Sequence, residues 1–109
     1  MVPSEALAEE GGFESIQHKA VPSYGWQAMF YAYILQSIET PDQFYRGHTR
    51  DLRQRLADHN AGRCPHTARF RPWKLKFYAA FERLELAQSF ERYLKSGSGY
   101  AFAKHRFGL

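Results

Sequence analysis

The sequence lacks most of the features that would place it in a specialised class. It has a single cysteine, Cys64, in 109 residues, so no disulfide can form within the chain, and a reducing cytoplasm is the expected compartment. No apolar run approaches the ~18 residues that a membrane-spanning helix needs, and we expect no secretory signal because no basic-then-apolar segment opens the sequence. Walker-type, GxSxG, HExxH and CxxC motifs are also missing. These absences favour a small globular domain without a membrane partner.

The charge of the chain is divided unevenly. Residues 1–28 carry four glutamates and one lysine, whereas residues 29–109 carry fourteen Lys and Arg against seven Asp and Glu. A balance of +7 is typical of a surface that binds a polyanion such as nucleic acid, although it can also simply keep a small domain soluble. Because residues 1–28 show no periodicity, we predict a mobile acidic N-terminal extension over 1–28 and one folded domain over 29–109.

The folded part predicts three strands and three helices. In chain order these are strands over 29–37 and 44–49, a helix over 50–60, a strand over 73–81, and helices over 84–96 and 99–107. Alternation in the third strand predicts that Trp73, Leu75 and Phe77 share one face, and the sequence SGSG (96–99) predicts a flexible joint between the last two helices. The order β-β-α-β-α-α indicates an α+β fold, with one three-stranded antiparallel sheet flanked by helices.

Three ionisable residues fall on helix faces that should meet the sheet. Arg55 and His59 are i, i+4 neighbours beside the leucine stripe of the first helix, and Glu91 lies in the apolar sector of the second. Arg55 could be a guanidinium at the edge of the core, and His59 a hydrogen-bonded core histidine. A carboxylate without a partner in such a sector costs several kcal/mol. Glu91 therefore needs a cation, either a divalent metal ion or an arginine such as Arg55.

Basic residues cluster along residues 46–76, with aromatic residues interspersed among them. Such a mixture can follow a phosphate backbone and stack on bases, although it can equally be a solvated basic face with Trp73 in the core. We predict that Trp73 is mostly core and that the basic side chains bind nucleic acid. The predicted contacts are His48, Arg63, His66, Arg69, Arg71 and Lys74.

Five segments together resemble the GIY-YIG nuclease family, and in particular its small single-domain bacterial members. They are YAY (31–33) and YRG (45–47) at the two signatures, DLRQRLADHN (51–60), RPWKLKFYAAF (71–81) and FERYLKSGSG (90–99). Tyr31, Ala32 and Arg46 replace residues that are usual in the signatures. The two signature tyrosines and Gly47 are kept.

The resemblance implies metal-dependent hydrolysis of phosphodiester bonds in DNA. By position, Tyr33 and Tyr45 are its two signature tyrosines, Arg55 stabilises the transition state, and Glu91 binds Mg²⁺ or Mn²⁺. Tyr33, in preference to Tyr45, is the expected general base, with a pKa that nearby cations would have to lower. His59 either orients that tyrosine or contacts the phosphate, and the sequence leaves this choice open.

Two other interpretations stay open at this point. One is a non-catalytic nucleic-acid-binding module on the same scaffold, and the other is an interaction protein in which a pair between Glu91 and Arg55 is purely structural. The expected partner is DNA in single-stranded or branched form, with RNA as an open alternative. We expect a monomer or a weak homodimer.

Overall fold

The computed structural model describes residues 28–109, so the extension predicted over residues 1–28 lies, apart from Ala28, outside the described residues. The strands are β1 (Phe30–Ser37), β2 (Phe44–Thr49) and β3 (Trp73–Phe81), and the helices are α1 (Leu52–Asn60), α2 (Leu84–Lys95) and α3 (Gly97–Phe107). A short 3₁₀ turn lies at Ala68–Phe70. The predicted α+β fold in the order β-β-α-β-α-α is confirmed.

The sheet is antiparallel throughout, with β1 at its centre and β2 and β3 at its edges. The middle of β1 is a run of apolar and aromatic residues that is buried on both sides, which explains why its sequence is continuous rather than alternating. Residues of α1 pack on one face around Tyr33 and Leu35. Residues of α2 and α3 pack on the other face around Ile34. The sheet is therefore sandwiched between helices.

The prediction for the third strand is wrong in one respect, because a β-bulge divides β3. Leu75 pairs with Leu35, but the next pair along is Phe77 with Ile34, so Lys76 is an extra residue on β3. Trp73 consequently packs in the cluster with Tyr33, whereas Phe77 packs on the opposite face with Ile34. Strict alternation predicts that Trp73 and Phe77 share one face of the sheet. One inserted residue between them moves Phe77 to the opposite face.

The joint between α2 and α3 is tight, and the flexible joint that the sequence SGSG predicts is wrong. Ser96 is both the last cap of α2 and the first cap of α3, since its hydroxyl accepts from the Gly99 amide and donates to the Tyr93 carbonyl. Gly99 is buried, and a Cβ built there would overlap the Tyr93 carbonyl group. None of the helices in residues 28–109 is long and apolar enough to cross a membrane.

Gly99 and Gly97 therefore provide a matched test of this joint. Gly99→Ala forces a methyl group against backbone, which cannot turn away, so we expect a loss of roughly 1–3 kcal/mol in the free energy of unfolding. Gly97→Ala meets nothing within 4 Å and should be neutral or stabilise the helix by up to ~1 kcal/mol. Urea unfolding of both variants measures the difference, and equal stabilities would contradict the close approach.

Candidate active site

Tyr33 stands at the centre of β1 with its side chain turned toward α1. The residue is 1% exposed, and its hydroxyl lies 3.0 Å from Nε2 of His59. Gly47 is its register partner on β2, and a Cβ there would come within 2.7 Å of the Tyr33 hydroxyl oxygen. The ring of Tyr33 therefore lies directly over the Gly47 backbone, which explains why this strand position requires glycine.

Helix α1 carries Arg55 and His59 to the same place. Its Leu52 and Leu56 pack against Tyr33 and the residues around it. Arg55 and His59, which are i, i+4 neighbours beside these leucines, therefore face the strand tyrosines. His59 is fully buried, and the Arg55 guanidinium is near enough to the Tyr33 hydroxyl to act on its pKa. The Tyr33 hydroxyl thus contacts an imidazole nitrogen and has a guanidinium nearby.

Tyr45 completes the group from the neighbouring strand. Its ring centroid is 4.8 Å from that of His59 and 6.2 Å from that of Tyr33. Unlike Tyr33, it is only partly buried. The structure therefore brings together four of the residues singled out in the sequence, namely Tyr33, Tyr45, Arg55 and His59.

The electrostatics of this group differ from the expectation that cations lower the tyrosine pKa. Burial raises the pKa of Tyr33 to about 12, because it outweighs the opposing interaction with Arg55. The same interaction raises the pKa of Arg55. Burial and the charge of Arg55 lower the pKa of His59 below its ordinary 6.5. At neutral pH the site therefore contains a neutral tyrosine, a neutral imidazole and a charged guanidinium.

Glu91 lies on α2, and its cation partners are not the ones the sequence suggested. Oε1 is 2.5 Å from Nδ1 of His48, and Oε2 is 2.6 Å from Nζ of Lys95. The idea of a structural Glu91–Arg55 pair is wrong, because α1 and α2 cover opposite faces of the sheet. Burial raises the pKa of Glu91, but hydrogen bonds and charge from Lys95 and His48 outweigh it and leave this pKa below 4.5.

The two groups of side chains meet at β2. Gly47, which contacts Tyr33, and His48, which contacts Glu91, are consecutive residues of that strand, and consecutive residues point to opposite faces. β2 is an edge strand, so its outer side is not covered by another strand. The Tyr33 group and the Glu91 group are therefore adjacent across one edge strand.

Glu91 is the residue of this group that could hold a divalent ion of the Mg²⁺ type. No group of three or more His, Cys, Asp or Glu that could hold a metal occurs within residues 28–109. Mg²⁺ does not need one, because it is commonly held by one or two carboxylates together with water and substrate phosphates. The Glu91 side chain is 15% exposed, while those of His48 and Lys95 are 36% and 55% exposed. Both partners are therefore more exposed than the carboxylate that they contact.

The loop between α1 and β3 carries most of the predicted nucleic-acid contacts. His66, Arg69 and Arg71 are exposed there, and Lys74 is exposed at the start of β3. Arg63 is also exposed but forms a 2.8 Å ion pair with Asp58. His48 is the exception among the predicted contacts, since its imidazole is bound to Glu91 instead.

Two residues of the site escaped the sequence analysis. Thr67, on the loop, places its hydroxyl 2.8 Å from Nδ1 of His59, and nothing in the sequence around it distinguishes it from an ordinary loop threonine. Lys95 is one helical turn after Glu91, so the i, i+4 spacing could have revealed it.

Comparison with known proteins supports the resemblance to the GIY-YIG family that the sequence shows. A family model described as the GIY-YIG catalytic domain matches residues 29–101. UPF0213 proteins of Streptococcus pyogenes serotypes M3 and M1 are each 39% identical to the chain over 66 residues, which is 60% of this chain and 70% of each relative. The matched range spans all three strands and two of the helices, together with every side chain discussed above. The chain therefore belongs to the GIY-YIG family of nucleases, as the sequence resemblance predicts.

Proposed function

We propose that this protein hydrolyses phosphodiester bonds in DNA with the help of a divalent metal ion. The observation that carries the proposal is the buried Tyr33 hydroxyl, which lies 3.0 Å from an imidazole nitrogen of His59 and has the Arg55 guanidinium nearby. Packing alone would be served by phenylalanine at this position. Membership of a nuclease family supports a catalytic use of the same atoms.

Tyr33 acts as a proton relay rather than as a preformed phenolate. A pKa of about 12 leaves its hydroxyl protonated at neutral pH. The hydroxyl can take a proton from the attacking water only if its own proton leaves at the same time, and Nε2 of His59 is the neighbouring acceptor. The lowered pKa of His59 keeps this imidazole neutral and able to accept. His59 therefore orients Tyr33 and accepts its proton, and it does not contact the phosphate.

Arg55 and Glu91 provide the charge that the reaction needs. The guanidinium beside Tyr33 donates to oxygens of the scissile phosphate, where negative charge grows in the transition state. Glu91 holds Mg²⁺ or Mn²⁺, which when bound neutralises charge on the phosphate and on the leaving oxygen. Tyr45 is the more exposed tyrosine and contacts the same phosphate.

The loop between α1 and β3, here called the basic loop, supplies most of the affinity for the nucleic acid through Arg63, His66, Arg69 and Arg71. One small module offers little area for reading a long sequence, so we expect loose sequence specificity and a preference for single-stranded or branched DNA. We propose that the protein works as a monomer or a weak homodimer in the cytoplasm.

The salt dependence of DNA binding tests the role of this loop. Arg69→Gln should weaken binding similarly for unrelated sequences and reduce the slope of log affinity against log salt by ~1, because one phosphate contact is lost. Arg106→Gln is the control, since it removes a charge from α3 on the opposite face of the sheet. Titrations by fluorescence anisotropy measure both slopes, and an unchanged slope for Arg69→Gln would remove Arg69 from the contact surface.

A specific observation favours the second candidate, a non-catalytic nucleic-acid-binding module. Both carboxylate oxygens of Glu91 already have side-chain partners, His48 and Lys95, as they would in a purely structural arrangement. Such a module would keep the basic loop and its salt-dependent binding and would not respond to divalent ions.

Incubation with labelled DNA separates the two functions. Single-stranded, duplex and flap substrates are mixed with the full-length protein in Mg²⁺ or Mn²⁺, with and without a chelator. Cleavage of at least one substrate that the chelator abolishes is the expected result. Binding to all substrates without cleavage under any of these conditions would contradict the proposed function and favour the binding module.

A further inference from the structure

Thr67 lies beside Tyr33 and His59, and its amide, carbonyl and hydroxyl groups are all hydrogen-bonded. It is 1% exposed, and its amide donates to the Cys64 carbonyl at 3.1 Å while its carbonyl accepts from Nε1 of Trp73 at 2.9 Å. Its hydroxyl lies 2.8 Å from Nδ1 of His59 and 3.2 Å from the Cys64 carbonyl oxygen. The loop backbone thus fixes the position of a hydroxyl against one nitrogen of His59.

The direction of these hydrogen bonds follows from counting protons. A hydroxyl has one proton, and the Thr67 hydroxyl is the donor in its 3.2 Å hydrogen bond to the Cys64 carbonyl, which can only accept. With its proton on that bond, the oxygen of Thr67 accepts from Nδ1–H of His59. A neutral imidazole carries one proton, so Nε2 has none and accepts from the Tyr33 hydroxyl.

Other groups around His59 set its charge but not its tautomer. Burial and Arg55 lower the pKa of His59, while Asp58 acts weakly in the opposite direction. The tyrosine hydroxyl could either donate to Nε2 or accept from it, so it does not decide which nitrogen is protonated. The fixed hydroxyl of Thr67 is the group that decides.

We infer that Thr67 is a positioning residue, which selects the tautomer of His59 that can receive the proton of Tyr33. This inference rests on the proposed function. In the step concerned, the water proton moves to the Tyr33 oxygen while the Tyr33 O–H bond breaks and its proton binds the lone pair of Nε2. His59 ends as imidazolium with both nitrogens protonated. Nδ1–H donates to Thr67 before and after, so Thr67 does not have to rearrange.

Two substitutions test the inference. Thr67→Val removes the hydroxyl and keeps the branched shape, whereas Thr67→Ser keeps the hydroxyl. Long-range ¹H–¹⁵N spectra of the labelled full-length protein at pH 7.5 report which nitrogen of each imidazole is protonated, and the His59→Gln spectrum identifies the His59 signals. Single-turnover cleavage and DNA affinity are measured on the same samples.

We expect Nδ1–H in the wild type and in Thr67→Ser, and loss of that preference in Thr67→Val. Cleavage by Thr67→Val should fall about 10- to 100-fold, the effect typical of groups that orient a functional histidine, with DNA affinity unchanged and with rescue in Thr67→Ser. Nε2–H in the wild type, or a Thr67→Val protein with parental tautomer and rate, would overturn the inference. If Thr67→Val does not fold, loss of the Nδ1–H tautomer in Thr67→Ser would overturn it equally.

The spectra need no substrate, so the two proposals can fail separately. A wild-type protein that shows the Nδ1–H tautomer but cleaves no DNA would contradict the proposed function and still support the selection of the tautomer by Thr67.

Discussion

Tyr33→Phe should abolish most of the cleavage while leaving DNA binding in place. The substitution removes the one oxygen through which a proton can pass from water to His59, and positioned proton transfer contributes about 10²–10⁴-fold to a reaction. The ring keeps its contacts with Leu35 and Trp73 in the core. The lost hydrogen bond leaves Nε2 of His59 buried without a partner, so we expect a loss of about 1–3 kcal/mol in the free energy of unfolding.

Single-turnover cleavage and urea unfolding of this variant measure the two effects. Tyr78→Phe is the matched control, because it also removes a phenol hydroxyl from the sheet but at a residue that is 51% exposed. Tyr45→Phe should fall between the two, since it loses the proposed contact with the phosphate but keeps the ring contact with His59 and has no role in the proton transfer. A well-folded Tyr33→Phe protein that cleaves as fast as Tyr78→Phe would remove Tyr33 from the reaction.

Most of the fold follows from periodicity that is local in the sequence. The predicted strands over 44–49 and 73–81 have the observed bounds, and the predicted helices differ by two residues at most. What could not be predicted depends on contacts between distant segments. The bulge at Lys76 arises from the pairing of β3 with β1, and the alternation of Trp73, Leu75 and Phe77 contains no sign of it.

The candidate site was predictable to a similar extent. Arg55, His59 and Glu91 stand out because helical geometry places ionisable groups where apolar ones belong. Their partners do not stand out, because each depends on how the sheet separates the helices. Helical geometry leaves either a metal ion or Arg55 as the cation for Glu91, whereas its partners in the structure are His48 and Lys95. The raised pKa of Tyr33 likewise depends on a burial that sequence cannot measure.

Glu91→Gln should lose divalent-dependent cleavage by at least two orders of magnitude. A bound metal contributes several kcal/mol of transition-state stabilisation, and each ~1.4 kcal/mol is a factor of ten in rate. The amide keeps the shape of the side chain but is a poor ligand for Mg²⁺. DNA affinity should stay equal or rise, because a negative charge beside the phosphate is removed.

The structure also predicts that this substitution changes stability little. The partners of Glu91 are His48 and Lys95, which are 36% and 55% exposed, so water can solvate both when the carboxylate is lost. We expect a loss of about 1 kcal/mol or less in the free energy of unfolding. A buried pair with Arg55 would have made the loss considerably larger. A fall in activity can therefore be separated from a fall in folding.

The most direct test of the account is the Mg²⁺-dependent single-turnover cleavage rate of Glu91→Gln, measured beside the wild type and Glu85→Gln under conditions where all three are folded. Glu85→Gln removes a carboxylate from the first turn of the same helix, where it is exposed. We expect Glu85→Gln to cleave at the wild-type rate and Glu91→Gln, equally folded and bound to DNA, not to cleave measurably. A folded Glu91→Gln protein that cleaves at the wild-type rate in Mg²⁺ would contradict the assignment of Glu91 as metal ligand and the mechanism built on it.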